Sequence, residues 1–155
     1  MLKDEVALSK EKMKQINLKM IVRSVVDDFN SIYETKRGIK ITLNDLNNQD
    51  EYFINGIENR VEQIIANLLD NSISFSDDNK NISVKIYKDE NEKVVLKVID
   101  EGTGFKETST KKIFNRFYSN RPDNFGEHSG LGLNIVKNLV DLHGATIIAS
   151  NNIPQ

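Results

Sequence analysis

The spacing of apolar residues along the chain predicts three helices. The first is expected from Leu18 to about Ile32, and the second covers roughly residues 58 to 75. Both place apolar residues at i, i+3, i+4 and i+7, which is typical of a helix with one buried face. The third is expected in "SGLGLNIVKNLVDLHG", residues 129 to 144, where glycines precede the helix and Gly144 stops it.

Alternating apolar residues predict the strands. The candidates are "GIKITL" (38–43), "EYFING" (51–56), "ISVKIY" (82–87), "VVLKVI" (94–99) and "ATIIAS" (145–150). The third and fourth flank the charged turn "KDENEK" and are expected to form a hairpin. The order of elements predicts an α+β fold, a two-layer sandwich of a mixed β-sheet packed on about three helices. Because little follows "ATIIAS", we expect a final strand to be missing.

Composition narrows the range of functions. The chain has 155 residues, 38% of them hydrophobic and 28% charged, so we expect a single globular core. A formal charge of −2 gives no reason to expect nucleic acid or an anionic membrane as a partner. Cysteine is absent, which excludes disulfides and thiolate chemistry and fits a cytoplasmic location. No apolar run approaches the ~20 residues of a membrane-spanning helix.

The stretch "NLLDNSISFS", residues 67 to 76, carries two asparagines on an otherwise apolar helix. On a helical wheel Asn67, Asn71 and Ser74 fall on one stripe at the edge of the apolar face, whereas Asp70 points about 100° away from Asn71. Two amide oxygens one turn apart suit Mg²⁺, which prefers oxygen ligands and keeps several waters. The alternative is that both asparagines are solvated or cap neighbouring loops. Asp70 is expected at the surface.

Two glycine-containing segments suggest ligand contacts. In "DEGTGF", residues 100 to 105, Asp100 ends a strand and can accept a hydrogen bond from an exocyclic amine such as adenine N6, while the glycines allow close approach of a planar ligand. In "HSGLGL", residues 128 to 133, glycine N–H groups at a helix start can face an anion. A simple turn and a glycine-rich helix cap are the respective alternatives. Neither segment is a Rossmann fingerprint or a P-loop.

Residues 105 to 129 are too long for an ordinary connection in a small domain. Segments of this length are usually lids or disordered loops. Phe114 and Phe117 are spaced to anchor a short lid helix, and Arg116 and Arg121 are candidates for contact with a terminal phosphate.

Taken in order, these motifs resemble the catalytic ATP-binding domain of sensor histidine kinases. That domain shares a superfamily with gyrase-type topoisomerases, ninety-kilodalton heat-shock chaperones and mismatch-repair ATPases, and the resemblance covers about residues 17 to 150. It implies that Asn71 coordinates Mg²⁺ with help from Asn67, and that these two residues and Arg116 are the catalytic group. It also implies a nucleotide-binding set formed by Asn67, Asn71, Phe75, Asp100, Gly102, Gly104, Phe105, Arg116, Arg121, Ser129, Gly130, Leu131, Gly132 and Leu133. Within that set Asp100 would read adenine, Phe75 would pack against it, and residues 105 to 129 would form the ATP lid.

The chain departs from the family pattern at three positions. Ser74 stands where the family often has Lys or Arg, Ser119 where an arginine often follows the lid aromatics, and His128 where the first glycine of "GxGLGL" is usual. The first departure implies that a phosphate contact is missing or is supplied by Arg116 or Arg121. His128 is expected at the lid surface, and His143 is expected to cap or pack at a helix end.

Asn67 bears on the reaction that the resemblance implies. Relatives that hydrolyse ATP or phosphorylate serine commonly carry a glutamate there, which serves as a base. An amide takes no proton, whereas a neutral histidine acceptor already offers a lone pair. Asn67 therefore favours phosphotransfer to histidine, through positioning and Mg²⁺ neutralisation of charge.

The family also implies the setting of the domain. Its acceptor histidine lies on a dimerising helical hairpin, and residues 1 to 17 resemble the end of that hairpin. Residues 18 to 155 would be the catalytic domain, truncated at its C-terminus. We expect a monomeric cytoplasmic fragment that binds Mg·ATP without phosphorylating itself. Its parent would be anchored in the inner membrane and would meet a response regulator through the hairpin. The alternatives are a clamp-type ATPase of the same superfamily and a non-catalytic interaction module.

Overall fold

The computed structural model describes residues 12–101 and 131–148 of the chain. Within them lie five strands, β1 (Lys14–Asn17), β2 (Lys40–Asp45), β3 (Phe53–Gly56), β4 (Asn81–Lys88) and β5 (Val94–Ile99). Three helices accompany them, α1 (Leu18–Arg37), α2 (Glu58–Phe75) and α3 (Leu131–Leu142). None of the helices in these residues has the length and apolar character needed to cross a membrane.

The strands form two sheets, and the larger one is mixed. β2 pairs in parallel with β4, and β4 pairs antiparallel with β5, which gives the order β2-β4-β5. β1 and β3 form a separate antiparallel pair. Three inward-facing residues of β4 (Ile82, Val84 and Ile86) are each fully buried, as expected for a central strand with one face on the core. The predicted α+β fold with a mixed sheet and three helices is confirmed.

The core lies between the three-stranded sheet and the helices. α1 contributes Val22, Val25 and Val26, and α2 contributes Ile65, Leu69 and Ile73, all buried. The third helix buries a stripe at positions 133, 136, 139 and 140 and lies against α2. α2 is therefore the central helix of its layer, with contacts to α1, to α3 and to β5.

An asparagine closes the outer edge of β2. The side-chain amide of Asn30 donates to the carbonyl oxygen of Ile41 (2.9 Å) and accepts from its N–H group (2.8 Å). This pair of bonds copies the contacts of a neighbouring strand, so α1 satisfies backbone groups that an exposed edge would leave open to pairing. Asn30 thereby ties α1 to the sheet as well as packing on it.

Two predicted elements differ from the structure. The helical interpretation of the segment ending at residue 17 is wrong for Lys14–Asn17, which form strand β1, because Ile16 enters the core and β3 supplies a pairing partner. Residues 145 to 148 form no strand, because no other described segment offers them a ladder and the N–H of Ala145 bonds the Val140 carbonyl at the end of α3. Residues 149 and 150 of that predicted strand lie outside the described residues, as do residues 1 to 11.

Candidate functional site

The two asparagines lie where the sequence places them, one turn apart on α2. Asn67 and Asn71 are half-buried, on the side of the helix away from the core residues Ile65 and Leu69. Asp70, expected at the surface, is half-buried as well. The amide pair is therefore accessible to a ligand that lies along this flank of α2.

Ser74 lies on the same stripe of α2 as the asparagines, as the helical wheel predicts, but it is buried whereas they are half-buried. It is 1% exposed, and its hydroxyl donates to the Asp70 carbonyl at 2.9 Å. Ser72, Ile73 and Ser76 are buried too, so the end of α2 is enclosed around nearly its whole circumference. A wheel assumes one solvent side along the whole helix, and that assumption fails in this last turn. Ser74 cannot replace a phosphate-binding lysine or arginine.

Asp100 and Phe75 lie at the same end of the sheet. Asp100 directly follows β5, whose last residue Ile99 pairs with Ser83 near the start of β4. Phe75 ends α2, and only residues 76 to 80 separate it from that same start of β4. Both side chains are half-buried. The chain path thus brings the predicted adenine residues to one edge, beside the helix that carries the asparagines.

α3 lies against α2 and carries, at its start, some of the residues predicted to contact phosphate. Leu131, Gly132 and Leu133 fall in its first turn, and Leu133 is buried. The other predicted site residues lie outside the described part of the chain; they are Gly102, Gly104, Phe105, Arg116, Arg121, Ser129 and Gly130. The predicted lid, with Ser119 and His128, lies there too.

His143 fastens α3 to the beginning of α2, which confirms its predicted role at a helix end. Its Nε2 accepts from the Ile57 N–H at 3.2 Å, and its Nδ1 lies 2.7 Å from the Leu139 carbonyl oxygen. Since a carbonyl only accepts, the proton belongs on Nδ1 and the imidazole is neutral. The ring thus fixes α3, with its predicted phosphate contacts, against the helix of the asparagines.

A polar cluster at the opposite end of the sheet was not predicted. Lys19 donates to Asp45 (2.8 Å) and to the Gln49 carbonyl (3.0 Å), and the Tyr52 hydroxyl donates to the other oxygen of Asp45. Burial alone raises the pKa of the Asp45 carboxyl, but the hydrogen bonds and charge of its partners outweigh burial and lower it from 3.8 to about 2. Burial, and then Asp45, raise the pKa of Tyr52.

This cluster stabilises the fold and is separate from the candidate site. Asp45 pairs with Ile86 near the end of β4, whereas Asp100 lies beside the start of that strand. The donors and acceptors of the cluster also satisfy one another. An open depression at the nearby β4–β5 turn, lined by residues 87 to 91, belongs to the same remote end. Nothing in the local sequence marks the cluster, because its members come from α1, β2 and the loop before β3.

Among the described residues, no group of three or more histidine and carboxylate side chains is arranged to hold a metal ion. A site made by the protein alone is therefore not found in this part of the molecule. The amide oxygens of Asn67 and Asn71 fit a different arrangement, in which a hard cation takes one or two protein ligands and completes its shell with waters and phosphate oxygens.

Curated relatives that resemble the chain are sensor kinases. It is 31% identical over 150 residues to the sensor protein ChvG of Rhizobium meliloti, a match that covers 93% of this chain and 26% of that protein. It is 29% identical over 146 residues to ChvG of Agrobacterium fabrum, covering 90% of this chain and 24% of the relative. Over 93 residues it is 41% identical to the sensor protein KdpD of Clostridium acetobutylicum. The chain therefore spans about a quarter of the length of the ChvG proteins.

Solved histidine kinase structures share the fold. The catalytic domain of histidine kinase ThkA superposes with a TM-score of 0.72 at 22% identity, covering 86% of this chain and 82% of that one. Full-length ShkA, solved in complex with AMPPNP, gives a TM-score of 0.70 at 23% identity and covers 85% of this chain and 26% of ShkA. The family model described as histidine kinase-, DNA gyrase B- and HSP90-like ATPase matches residues 56–155. The chain belongs to this ATPase family.

Proposed function

We propose that this chain binds Mg·ATP and donates the γ-phosphate to a histidine on a separate dimerisation domain, as the catalytic part of a sensor histidine kinase. The observation that carries the proposal is the Asn67 and Asn71 pair, half-buried on α2 beside the end of the sheet where Asp100 lies. The family match supports ATP as the ligand, and the sensor kinases among the relatives support this branch of the family.

In this proposal each residue has one role. Asn71 ligates Mg²⁺ with help from Asn67, the cation screens the phosphate charge, and its remaining ligands are waters and phosphate oxygens. Asp100 accepts a hydrogen bond from the adenine amine, and Phe75 packs on the base. The first turn of α3 and the preceding glycines hold the phosphates, because N–H groups at a helix start favour an anion.

The amide of Asn67 separates phosphotransfer from hydrolysis. A side chain that removes a proton from water has to be a base, and an amide is not. A histidine acceptor with a neutral ring needs no such base, since its ring nitrogen already has a lone pair. We therefore propose that the chain hydrolyses ATP slowly and transfers phosphate only when a dimerisation domain supplies the histidine. Through that domain a response regulator would be the later partner.

Calorimetric titration of the chain with a non-hydrolysable ATP analogue tests the first step. We expect saturable binding that weakens at least about tenfold when Mg²⁺ is removed. Asn71→Ala should lose the Mg²⁺-dependent part. Ser74→Ala, on the same helix but buried, is the matched control and should bind as wild type does. Failure of the folded wild-type chain to bind at millimolar analogue would refute the proposal and favour a non-catalytic module.

Incubation with γ-labelled ATP tests the second step. The chain alone should remain unlabelled, and a histidine-containing dimerisation domain from a related sensor kinase should become labelled when the chain is added. Label on the isolated chain, or rapid steady-state release of phosphate without an acceptor, would contradict phosphotransfer to a separate histidine. Rapid release would favour the clamp-type ATPase.

A further inference from the structure

The C-terminal end of α2 receives a local backbone donor at one carbonyl, because the Ser76 N–H bonds the Ile73 carbonyl at 3.2 Å. Its last turn contains no basic residue, and the residue that follows, Ser76, has an extended backbone (φ −94°, ψ 143°) and not the left-handed conformation of a glycine cap. The final carbonyls of a helix have no partner within the helix, and they carry the negative end of its dipole. Further donors for this end must therefore come from elsewhere in the fold.

Arg37, the last residue of α1, supplies these donors. Its Nη1 donates to the Ile73 carbonyl at 3.0 Å, and its Nη2 donates to the Ser76 carbonyl at 2.7 Å. Its Nε donates to the Asp78 carboxylate at 2.7 Å. The arginine side chain is only 15% exposed, so these bonds are largely shielded from water. The planar guanidinium thus holds the helix end and the following loop at the same time.

The carbonyls that Arg37 binds lie on both sides of Phe75 in the chain. Ile73 precedes Phe75 by two residues, and Ser76 follows it directly. Asn71 is two residues before Ile73, in the same last part of the helix. A change in the position of these carbonyls would therefore displace the proposed adenine contact and tilt the helix end that carries a proposed Mg²⁺ ligand.

The loop beyond Phe75 is fixed at its other end as well. The N–H of Asn81, the first residue of β4, donates to the Glu101 carboxylate at 2.7 Å, and Glu101 directly follows Asp100. The N–H of Asn79 also donates to the Arg37 carbonyl at 2.9 Å. Residues 76 to 81 thus form a spacer between the two proposed adenine residues, held by Arg37 on one side and by Glu101 on the other.

We infer that Arg37 is a positioning residue of the nucleotide site, which sets the place of Phe75 relative to Asp100 without touching the nucleotide. The inference rests on the proposed function. Charge alone is not sufficient for this role, because the three donors point to three separate acceptors. A lysine keeps the charge but is a single point donor and cannot reproduce the fork.

Titration of wild type, Arg37→Lys and Arg37→Met with a non-hydrolysable ATP analogue and Mg²⁺ tests the inference. We expect Arg37→Lys to bind about fivefold more weakly and Arg37→Met about tenfold more weakly than wild type. Affinities within twofold of wild type for both variants would overturn the positioning role of Arg37 but not the proposed function. An absence of binding by folded wild type would overturn the proposed function, and this inference with it. Should Arg37→Met fail to fold, Arg37→Lys decides the result.

Two control variants separate positioning from loss of stability. Asp78→Asn removes the exposed ion pair but leaves the bonds to the Ile73 and Ser76 carbonyls, and it should bind within twofold of wild type. Tyr52→Phe weakens the polar cluster at the remote end of the sheet and should leave nucleotide affinity unchanged. A loss of affinity in Tyr52→Phe equal to that in Arg37→Lys, at matched free energies of unfolding, would overturn the inference.

Amide chemical shifts give a readout that a purely stabilising residue would not move. In the nucleotide-free state we expect Arg37→Lys to shift the amide resonances of Phe75 and Asp100, whereas Tyr52→Phe should leave both unchanged. Wild-type shifts at both positions in Arg37→Lys would contradict a positioning role.

Discussion

Helices α1 and α2 lie side by side in one layer but end in different ways. α1 is capped by its own neighbours in the chain: Asn17 accepts from the Lys19 N–H at its start, and Gly38 (φ +67°) bonds back to its last turn at its end. α2 is preceded by Ile57, which provides no side-chain cap, and is followed by the extended Ser76. His143, which directly follows α3, binds the start of α2, and Arg37, the last residue of α1, binds the end of α2.

This difference in how the helix ends are capped distinguishes α1, which supports the fold, from α2, which carries the candidate site. The side-chain cap and the glycine cap of α1 come from residues next to it, and bonds to the Tyr52 carbonyl and the Asp45 carboxylate add to its start. α2 carries Asn67, Asn71 and Phe75, and side chains from α1 and from the residue after α3 add hydrogen bonds at its two ends. The geometry of the site therefore depends on how the three helices assemble, and not on the sequence of α2 alone.

The largest effect is expected from the ion pair that anchors the first turn of α1. Asp45→Asn removes the close, nearly buried partner of Lys19 and leaves the exposed Asp50 at 3.9 Å, and it should lower the free energy of unfolding by about 3 kcal/mol at pH 7. Urea denaturation measures this loss. An unchanged stability would show that the local caps alone hold α1.

The same pair predicts a pH dependence. The pKa of Asp45 is lowered in the folded protein, from 3.8 to about 2, so its stabilising effect is present above pH 4 and is lost as pH falls towards 2. In acid titrations the stability gap between wild type and Asp45→Asn should therefore narrow between pH 4 and 2. A gap that stays constant over this range would contradict the assignment.

The next largest effect is expected at the glycine that ends α1. An alanine at Gly38 would have a strained positive φ, and its Cβ would lie 2.1 Å from Asn79 Oδ1, so we expect Gly38→Ala to cost about 2 kcal/mol. Gly144→Ala is the matched control, because its φ is +68° but nothing lies within 4 Å of a Cβ there, and it should cost about 1 kcal/mol. Equal losses in thermal or urea unfolding would mean that crowding by Asn79 has no effect.

The hydrogen bond from the start of α2 to His143 should contribute slightly less to the free energy of unfolding. His143→Leu leaves the Ile57 N–H without its acceptor and should cost about 1.5 kcal/mol. It should also speed hydrogen exchange at the start of α2 more than at the start of α1. His143→Gln, whose amide offers both an acceptor and donors, is the control and should recover part of the loss. Uniform faster exchange in both helices would show that His143 acts only on overall stability.

The smallest effect is expected at the local cap of α1. Asn17→Ala removes the acceptor for the N–H groups of Lys19 and Tyr52 and should cost about 1 kcal/mol. Asn17→Asp keeps an acceptor at a helix start and should stay close to wild type. If Asn17→Ala costs more than His143→Leu in the same denaturation assay, the order proposed for the two helices is wrong.

Most of the fold was accessible from the sequence because its elements carry strong local patterns. Apolar periodicity located α2 and the β4–β5 hairpin, and Gly144 marked the end of α3. Strand β1 was missed, since four residues beside a charged segment have no pattern of their own and become a strand only by pairing with β3. The strand predicted at residues 145 to 150 had the composition of a strand but no partner among the described residues.

For the candidate site, the sequence predicted the kinds of residues better than it predicted their surroundings in the fold. Asn67 and Asn71 were found from helical spacing, and Asp100 from its place at a strand end. The burial of Ser74 was not predicted, because a helical wheel cannot show that the last turn of α2 is enclosed. Arg37 was missed since a basic residue before a helix-ending glycine is ordinary, and nothing near it in sequence indicates that its side chain binds a different helix.

The sequence by itself determined the helices and strands that have periodic or capping signals. It also identified the candidate ligand-binding residues, from their residue types and their order along the chain. The tertiary structure decided which side chains bind the two ends of α2. It also decided that Ser74 is buried and that a polar cluster forms around Asp45. The physical reason is the range of the interactions. Helix spacing and caps act over a few residues, whereas the bonds of Arg37 and His143 join residues 36 and 86 positions apart and exist only when the helices have packed.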